Sequence, residues 1–195
     1  MNLDALQTFD KSILLAFNGG ENIFLDSFVL TLTSAYTWIP LYASLLYLVI
    51  KNNENWQKIM LIIGTVALGL FIVNGTNLGI VKPLIARARP LNSPDLQGIV
   101  VSVNHYVADG YSFFSSHTAN AFVLAVFFSL LVRDRIFSIL MIVWSIIVSL
   151  TRPYLGVHYP SDVLVGMIFG SSVAVLIYFL YLRMYIRFSD KLHYI

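Results

Sequence analysis

The sequence predicts an all-α fold, a polytopic bundle of helices within a membrane, on three observations. Of its 195 residues, 58% are hydrophobic and only 11% charged, and the mean hydropathy is +0.78. Several apolar runs are long enough to cross a hydrocarbon core, which takes about 20 helical residues. Prolines, asparagines and charges gather between these runs, where the chain must turn in polar surroundings. A soluble core does not require so much apolar sequence, so residues 1–195 are expected to form one integral membrane domain.

The elements follow in order. Leu3, Leu6, Phe9, Ile13, Leu14 and Phe17 recur at helical spacing, which predicts an amphipathic helix lying on the interface over residues 1–20. Asp4 and Asp10, without a basic stretch before them, argue against a cleavable signal peptide. Ile23 to Ile50 is too long for one straight span and short for two, with Asp26 near its start and Pro40 inside, which predicts a kinked span or a tight hairpin. Ile59 to Val81 carries no charge and predicts one span, ending at Lys82 and Pro83. From Lys82 to Tyr111 the composition is that of a loop, with Asn92, Ser93, Asp95, Gly98, Asn104 and Gly110. A helix is expected from Ser116 to Val132, a charged turn at Arg133, Asp134 and Arg135, and a return from Ile136 to Thr151. Pro160 suits the first position of a last helix reaching to about Leu182.

Three polar clusters interrupt this apolar plan: Lys82 with Arg89 and Pro90; Ser115, Ser116 and His117; and Arg152 with His158 and Asp162. No crossing separates the first two and two crossings separate the second from the third, so all three should meet on one face. The opposite face receives Lys51, Lys58, Arg133, Arg135, Arg183, Arg187 and Lys191. Positive-inside bias makes that face cytoplasmic, so the clusters should face the periplasm or exterior of a bacterial inner membrane. The net charge of +2 is too small and too dispersed to suggest nucleic acid. The absence of cysteine removes disulfides, thiolate metal sites and cysteine nucleophiles.

Each cluster alone has an ordinary explanation as membrane anchors, a helix cap or a dipole partner. Together they match one chemistry. A phosphoryl group in transfer needs cations and N–H donors around its oxygens, with groups in line for attack and departure. Lys82, Arg89 and Arg152 supply the cations, while Ser115 and Ser116 offer hydroxyls and backbone N–H groups at a helix N-terminus. His158 stands four residues before Asp162, a carboxylate able to orient it as the nucleophile, which leaves His117 to protonate the leaving oxygen. No carboxylate cluster remains for a metal, so neither metal nor cofactor is expected.

The pattern K-x6-R-P, then Ser-x-His, then R-x5-H-x3-D resembles the type 2 phosphatidic acid phosphatase (PAP2) family, which is related to vanadium haloperoxidases and bacterial acid phosphatases. The resemblance spans Lys82 to Asp162 and implies a metal-independent phosphatase with six transmembrane helices, an outward-facing site and a phosphohistidine intermediate. It carries phosphate binding onto Lys82, Arg89, Arg152 and Ser115, the acid onto His117, the nucleophile onto His158 and its orienter onto Asp162. Six spans would favour the hairpin between Ile23 and Ile50. The chain departs from the family's usual Pro-Ser-Gly-His in having Phe114 and Ser116, which narrows the pocket or adds a donor, and Thr151 replaces a serine before Arg152.

A site opening at the membrane surface implies an amphiphilic substrate among membrane lipids, with no obligate protein partner evident. The resemblance offers undecaprenyl diphosphate, phosphatidylglycerophosphate, phosphatidic acid and a lipid A phosphate, and the short chain favours undecaprenyl diphosphate. A reading of another class is a phospholipid-binding transporter or scramblase, which would hold the headgroup without breaking it.

Overall fold

The computed structural model describes residues 3–19 and 22–192, with side chains for 7–19 and 22–187. Among the described residues there are helices and turns but no strand. Helix α1 (Leu3–Phe17) is the expected amphipathic element. Phe9 and Phe17 point outward, whereas Asp10 and Leu14, four residues apart on one face, are buried. The side chains of Leu3 and Leu6 lie outside the described residues. Asn18 fastens the end of α1: its amide donates to Tyr154 O at 3.0 Å and its Oδ1 accepts from Val101 N at 2.7 Å.

The ambiguous stretch resolves into a bent pair. Helix α2 (Ile23–Thr33) begins at Asn22, whose side chain caps Phe24 N and Leu25 N, and α3 (Ile39–Lys51) follows a 3-10 turn at Ala35–Trp38 with Pro40 in its first turn. The two halves meet at 63°. Neither half alone reaches the length of a span.

Helix α4 (Trp56–Thr76) continues through a wider π-type turn at Asn77–Val81 into α5 (Lys82–Ile85), where Ala86 takes left-handed torsion angles (φ 49°) and ends the rod. The extra residue per turn brings buried Asn77 onto the next helix: its amide donates to Phe114 O at 2.8 Å and Ser116 Oγ at 2.6 Å. Helix α6 (Ser116–Val132) matches its expected bounds, capped by Ser115 and ended by Arg133 at φ 57°. Helix α7 (Arg135–Tyr154) is capped by Asp134, and α8 (Pro160–Leu192) runs ten residues past the expected Leu182.

Helices α4, α6, α7 and α8 form the core around Val73, Val123, Phe127, Val148, Ala174 and Ile177. Gly166 and Gly170, one turn apart on α8, let it press on α6: a Cβ at Gly170 would stand 2.2 Å from Ala119 O, and one at Gly166 2.7 Å from Ser115 O. The outward faces carry Phe71, Leu140, Ile168 and Leu176, as lipid as solvent requires. Among the described residues three helical segments are long and apolar enough to cross a membrane; α6, at 17 residues, and the bent α2–α3 pair are shorter or broken. The chain is therefore an integral membrane helical bundle, but six spans of equal standing are not what the described residues display.

Candidate active site

All three clusters lie at one end of the bundle. The wide turn after α4 delivers Lys82, and the chain reversal at Ala86 turns Arg87 and Arg89 back over the helix ends. Ser115 caps α6, accepting from Thr118 N at 3.3 Å, and its own N–H donates to Asp162 O at 3.1 Å, which ties the start of α6 to the start of α8. Gly156, at φ 68°, makes the turn between α7 and α8. A Cβ there would stand 2.7 Å from Val100, so only glycine lets the His158 turn close under the long loop.

His158 and Asp162 sit on successive turns at the start of α8, with Nδ1 facing Asp162 Oδ2 at 3.5 Å. On the other side of the ring, Arg89 Nη1 stands 3.2 Å from Nε2. A guanidinium can only donate, so this bond makes Nε2 the acceptor and leaves the ring proton on Nδ1, toward the carboxylate. The tautomer needed for attack from Nε2 is thus set from both sides. Burial pushes the His158 ring down to about 4, partly opposed by the hydrogen bond and charge of Asp162. The ring is neutral at neutral pH, with its Nε2 lone pair engaged by Arg89 until that donor is drawn away.

Asp162 is fully buried and saturated with donors. Its Oδ2 accepts from Tyr159 N at 2.9 Å and from Ser112 Oγ, and its Oδ1 accepts from Arg87 Nη1 at 2.6 Å. Arg89 is fixed as firmly, donating to Asp109 O at 2.8 Å, Gly110 O at 3.0 Å and Val157 O at 2.9 Å. Arg152 donates to Thr33 Oγ1 at 2.6 Å and lies against the Tyr106 ring, while its Nε is buried without a partner. Lys82, only 9% exposed, makes no side-chain hydrogen bond or ion pair among the described residues and lies within electrostatic reach of Arg89, Arg152 and Asp162. Two cations thus keep N–H groups unspent.

His117, the second residue of α6, lies within electrostatic reach of Arg152 and His158, and its Nε2 has no partner. It opens onto a cavity of about 200 Å³ lined by Trp38, Tyr42, Asn120, Leu124 and Trp144. Tyr42, Asn120 and Leu124 are shared with a larger apolar groove of about 430 Å³ between α3, α4 and α6. Ser116 turns its hydroxyl to Asn77, so its side chain braces the end of α4 while its backbone N–H belongs to the α6 terminus. Among the described residues no three His, Asp or Glu side chains converge into a metal-holding group.

The structure therefore brings together Lys82, Arg89, Ser115, Ser116, His117, Arg152, His158 and Asp162. It adds Arg87 and Ser112 on Asp162, which the sequence analysis did not place in the site. The spacing of Arg87 five residues after Lys82 gave no sign that it would turn inward; that follows from the left-handed Ala86.

The PAP2 superfamily profile matches residues 58–185. The lipid A 4'-phosphatase of Bacteroides thetaiotaomicron is 36% identical over 179 residues, covering 91% of this chain and 79% of that protein. The lipid A 4'-phosphatase of Porphyromonas gingivalis is 29% identical over 175 residues, covering 89% and 73%. Among solved structures, the transmembrane PAP2-type phosphatidylglycerolphosphate phosphatase of Bacillus subtilis superposes with a TM-score of 0.66 at 22% identity, over 90% of this chain and 86% of that one, a likeness of fold. The expectation of undecaprenyl diphosphate finds no counterpart in these relatives, because a short chain limits domain content and says nothing of which headgroup fits.

Proposed function

Since the chain belongs to the PAP2 superfamily and is a lipid phosphate hydrolase, we propose that it removes a phosphate monoester from lipid A through a phosphohistidine on His158. The observation that carries this reading is the two-sided hold on His158, Arg89 at Nε2 and Asp162 at Nδ1. An arriving phosphate takes the free N–H groups of Lys82 and Arg152 and draws Arg89 Nη1 off His158, which frees the Nε2 lone pair, with Ser115 and the α6 N-terminus at its remaining oxygen. Nε2 then attacks phosphorus, the bond to the lipid oxygen breaks, and His117 gives that oxygen a proton. Water, giving its proton back to His117, attacks the phosphohistidine and releases inorganic phosphate. The apolar groove beyond His117 suits a substrate whose tails stay in lipid. The names of the two lipid A 4'-phosphatases favour the 4'-phosphate.

The test is purified protein in detergent with a lipid A carrying phosphates at both the 1 and 4' positions, and mass spectrometry of the product. Loss of the 4'-phosphate, undiminished by EDTA, is the expected result. Loss at the 1 position moves the site of cleavage, and hydrolysis of other lipid phosphates but not lipid A overturns the substrate.

The same reading turns the site toward the periplasm. Lys51, Lys58, Arg133, Arg135, Arg183 and Arg187 gather at the far end, where Lys58 Nζ meets Tyr185 Oη at 3.1 Å and Arg133 Nη2 meets Tyr178 Oη at 2.8 Å. The side chain of Lys191 lies outside the described residues. A cysteine at exposed Asn92 should react with an impermeant maleimide in intact spheroplasts, and one at Asn52 only after lysis. The reverse pattern inverts the orientation.

A further inference from the structure

A carboxylate orients an imidazole only as well as its own two oxygens are held. Asp162 Oδ2 is held by Tyr159 N and Ser112, but Oδ1 accepts from Arg87 Nη1, which also donates to Ser161 Oγ at 2.8 Å. Arg87 bridges two carboxylates: Nη1 donates to Asp162 Oδ1 and Nη2 donates to Asp10 Oδ2, both at 2.6 Å. Asp10 comes from α1, the interfacial helix, yet its side chain is only 4% exposed. Its Oδ1 accepts from Ser161 N at 2.8 Å and its Oδ2 from Ser161 Oγ at 2.5 Å. The guanidinium lies flat against Tyr159, with 3.7 Å from Cζ to the ring centroid. These bonds run in series from Asp10 through Arg87, and their inner end is the histidine's carboxylate.

We infer that Asp10 is a positioning residue for the reaction, acting through Arg87 on Asp162 and so on His158, which makes the interfacial helix a working part of the active site. The inference rests on the phosphohistidine reading above. The plainer alternative is that Asp10 merely fastens α1. That task is already discharged elsewhere, by the Lys11–Asp95 ion pair at 2.8 Å, by Asn18 on Tyr154 O and Val101 N, and by fully buried Leu14. Burying a carboxylate is costly unless it is paired, and Asp10 spends its pairing on the cation that grips Asp162. Without Asp10, Arg87 is free to swing from a shared bridge to a one-sided hold, and Oδ2 loses its fixed bearing on Nδ1.

The test compares kcat and KM for lipid A bisphosphate in mixed micelles, together with melting temperature. Asp10→Asn should lower kcat about 10-fold to 100-fold, the range for outer groups that orient a reacting centre, with KM nearly unchanged, and the melting temperature should fall because Arg87 loses a buried partner. Asp10→Glu should recover part of the loss, and Lys11→Ala, which loosens the same helix without touching the chain of bonds, should match wild type. Asp10→Asn combined with Arg87→Lys should be no slower than the worse single variant, because both cut one path. Unchanged kcat in Asp10→Asn, a loss confined to KM, or losses that multiply would overturn the inference. If Asp10→Asn does not fold, Asp10→Glu against Arg87→Lys gives the same coupling. A wild type that releases no phosphate would instead sink the proposed function, so the two failures are distinct.

Discussion

The two ends of this bundle are built on opposite principles. The middle and far end are held by close apolar packing, with α8 laid on α6 over Gly166 and Gly170 and the Phe127 ring meeting Tyr178 and Tyr181 edge to face. The near end buries Asp10, Lys82, Arg89, Arg152, His158 and Asp162, all under 10% exposed. Buried charges stabilise little and are costly when a partner is lost, so this end has its polar groups for chemistry and leans on the apolar end for rigidity. What the contrast teaches is division of labour along the same helices. Helix α8 carries glycines where it packs on α6 and Asp162 where it faces His158.

Substitutions at the two ends should therefore separate activity from stability. The largest effect is expected for His158→Ala, which removes the attacking nitrogen and should cost about 10³-fold or more in kcat with little change in melting temperature. Asp162→Asn should follow closely in activity, and it should also unfold more easily because Arg87 and Ser112 lose their shared acceptor. Side-by-side turnover and thermal melts check both.

At the other end, Gly170→Val should do the reverse. Its Cβ would meet the backbone at Ala119, and overpacking of this kind costs about 1–3 kcal/mol. Because α6 carries His117 and α8 carries Asp162, kcat should fall as well, but only as melting temperature falls. A variant that keeps wild-type stability would show that α8 does not press on α6 as described.

A subtler prediction uses pH. The His158 ring, held neutral by burial with a value of about 4, gains its proton only as pH falls through that value. Attack needs the neutral ring, so kcat/KM on the histidine's account should persist through pH 6 and be lost near pH 4, not near the ordinary value of about 6.5. A limb near 6.5 that belongs to the enzyme and not to the substrate phosphate would mean that the ring is hydrated. The smallest effect belongs to Lys58→Ala, which removes a cation 4.8 Å over the Tyr185 ring, about 0.5–1 kcal/mol of stability and no activity.

The same contrast explains what the sequence could be made to reveal. Helices α6 and α7 were legible because apolar runs end in recognisable signals, Ser115 and Asp134 as caps and Arg133 as the break. The candidate site residues could be picked out because phosphate chemistry admits few residue types, and the structure gathers them at one end of the bundle. The bend between α2 and α3 was not, since Pro40 fits a helix start as well as a kink; in the structure Trp38 at that corner and Tyr42 in α3 meet Trp144 of α7. Asp10 and Arg87 were hidden for another reason. Each looks like an interfacial charge until the reversal at Ala86 and the docking of α1 bring them together, and neither event leaves a local mark in the sequence. Arg133 and Lys58 read correctly as far-end charges, but their tyrosine partners come from α8, more than forty residues away.

The central claim is that His158 takes the phosphoryl group. Lipid A labelled with ³²P at its 4'-phosphate, mixed with stoichiometric protein and quenched in alkali within milliseconds, tests it directly. The account predicts a labelled chain whose phosphoryl group survives base, is lost in acid and maps by fragmentation to His158. His158→Ala should give no labelled chain, and His117→Ala should form it slowly because the leaving oxygen lacks its proton. Label on any other residue, or full turnover by His158→Ala, would contradict the account.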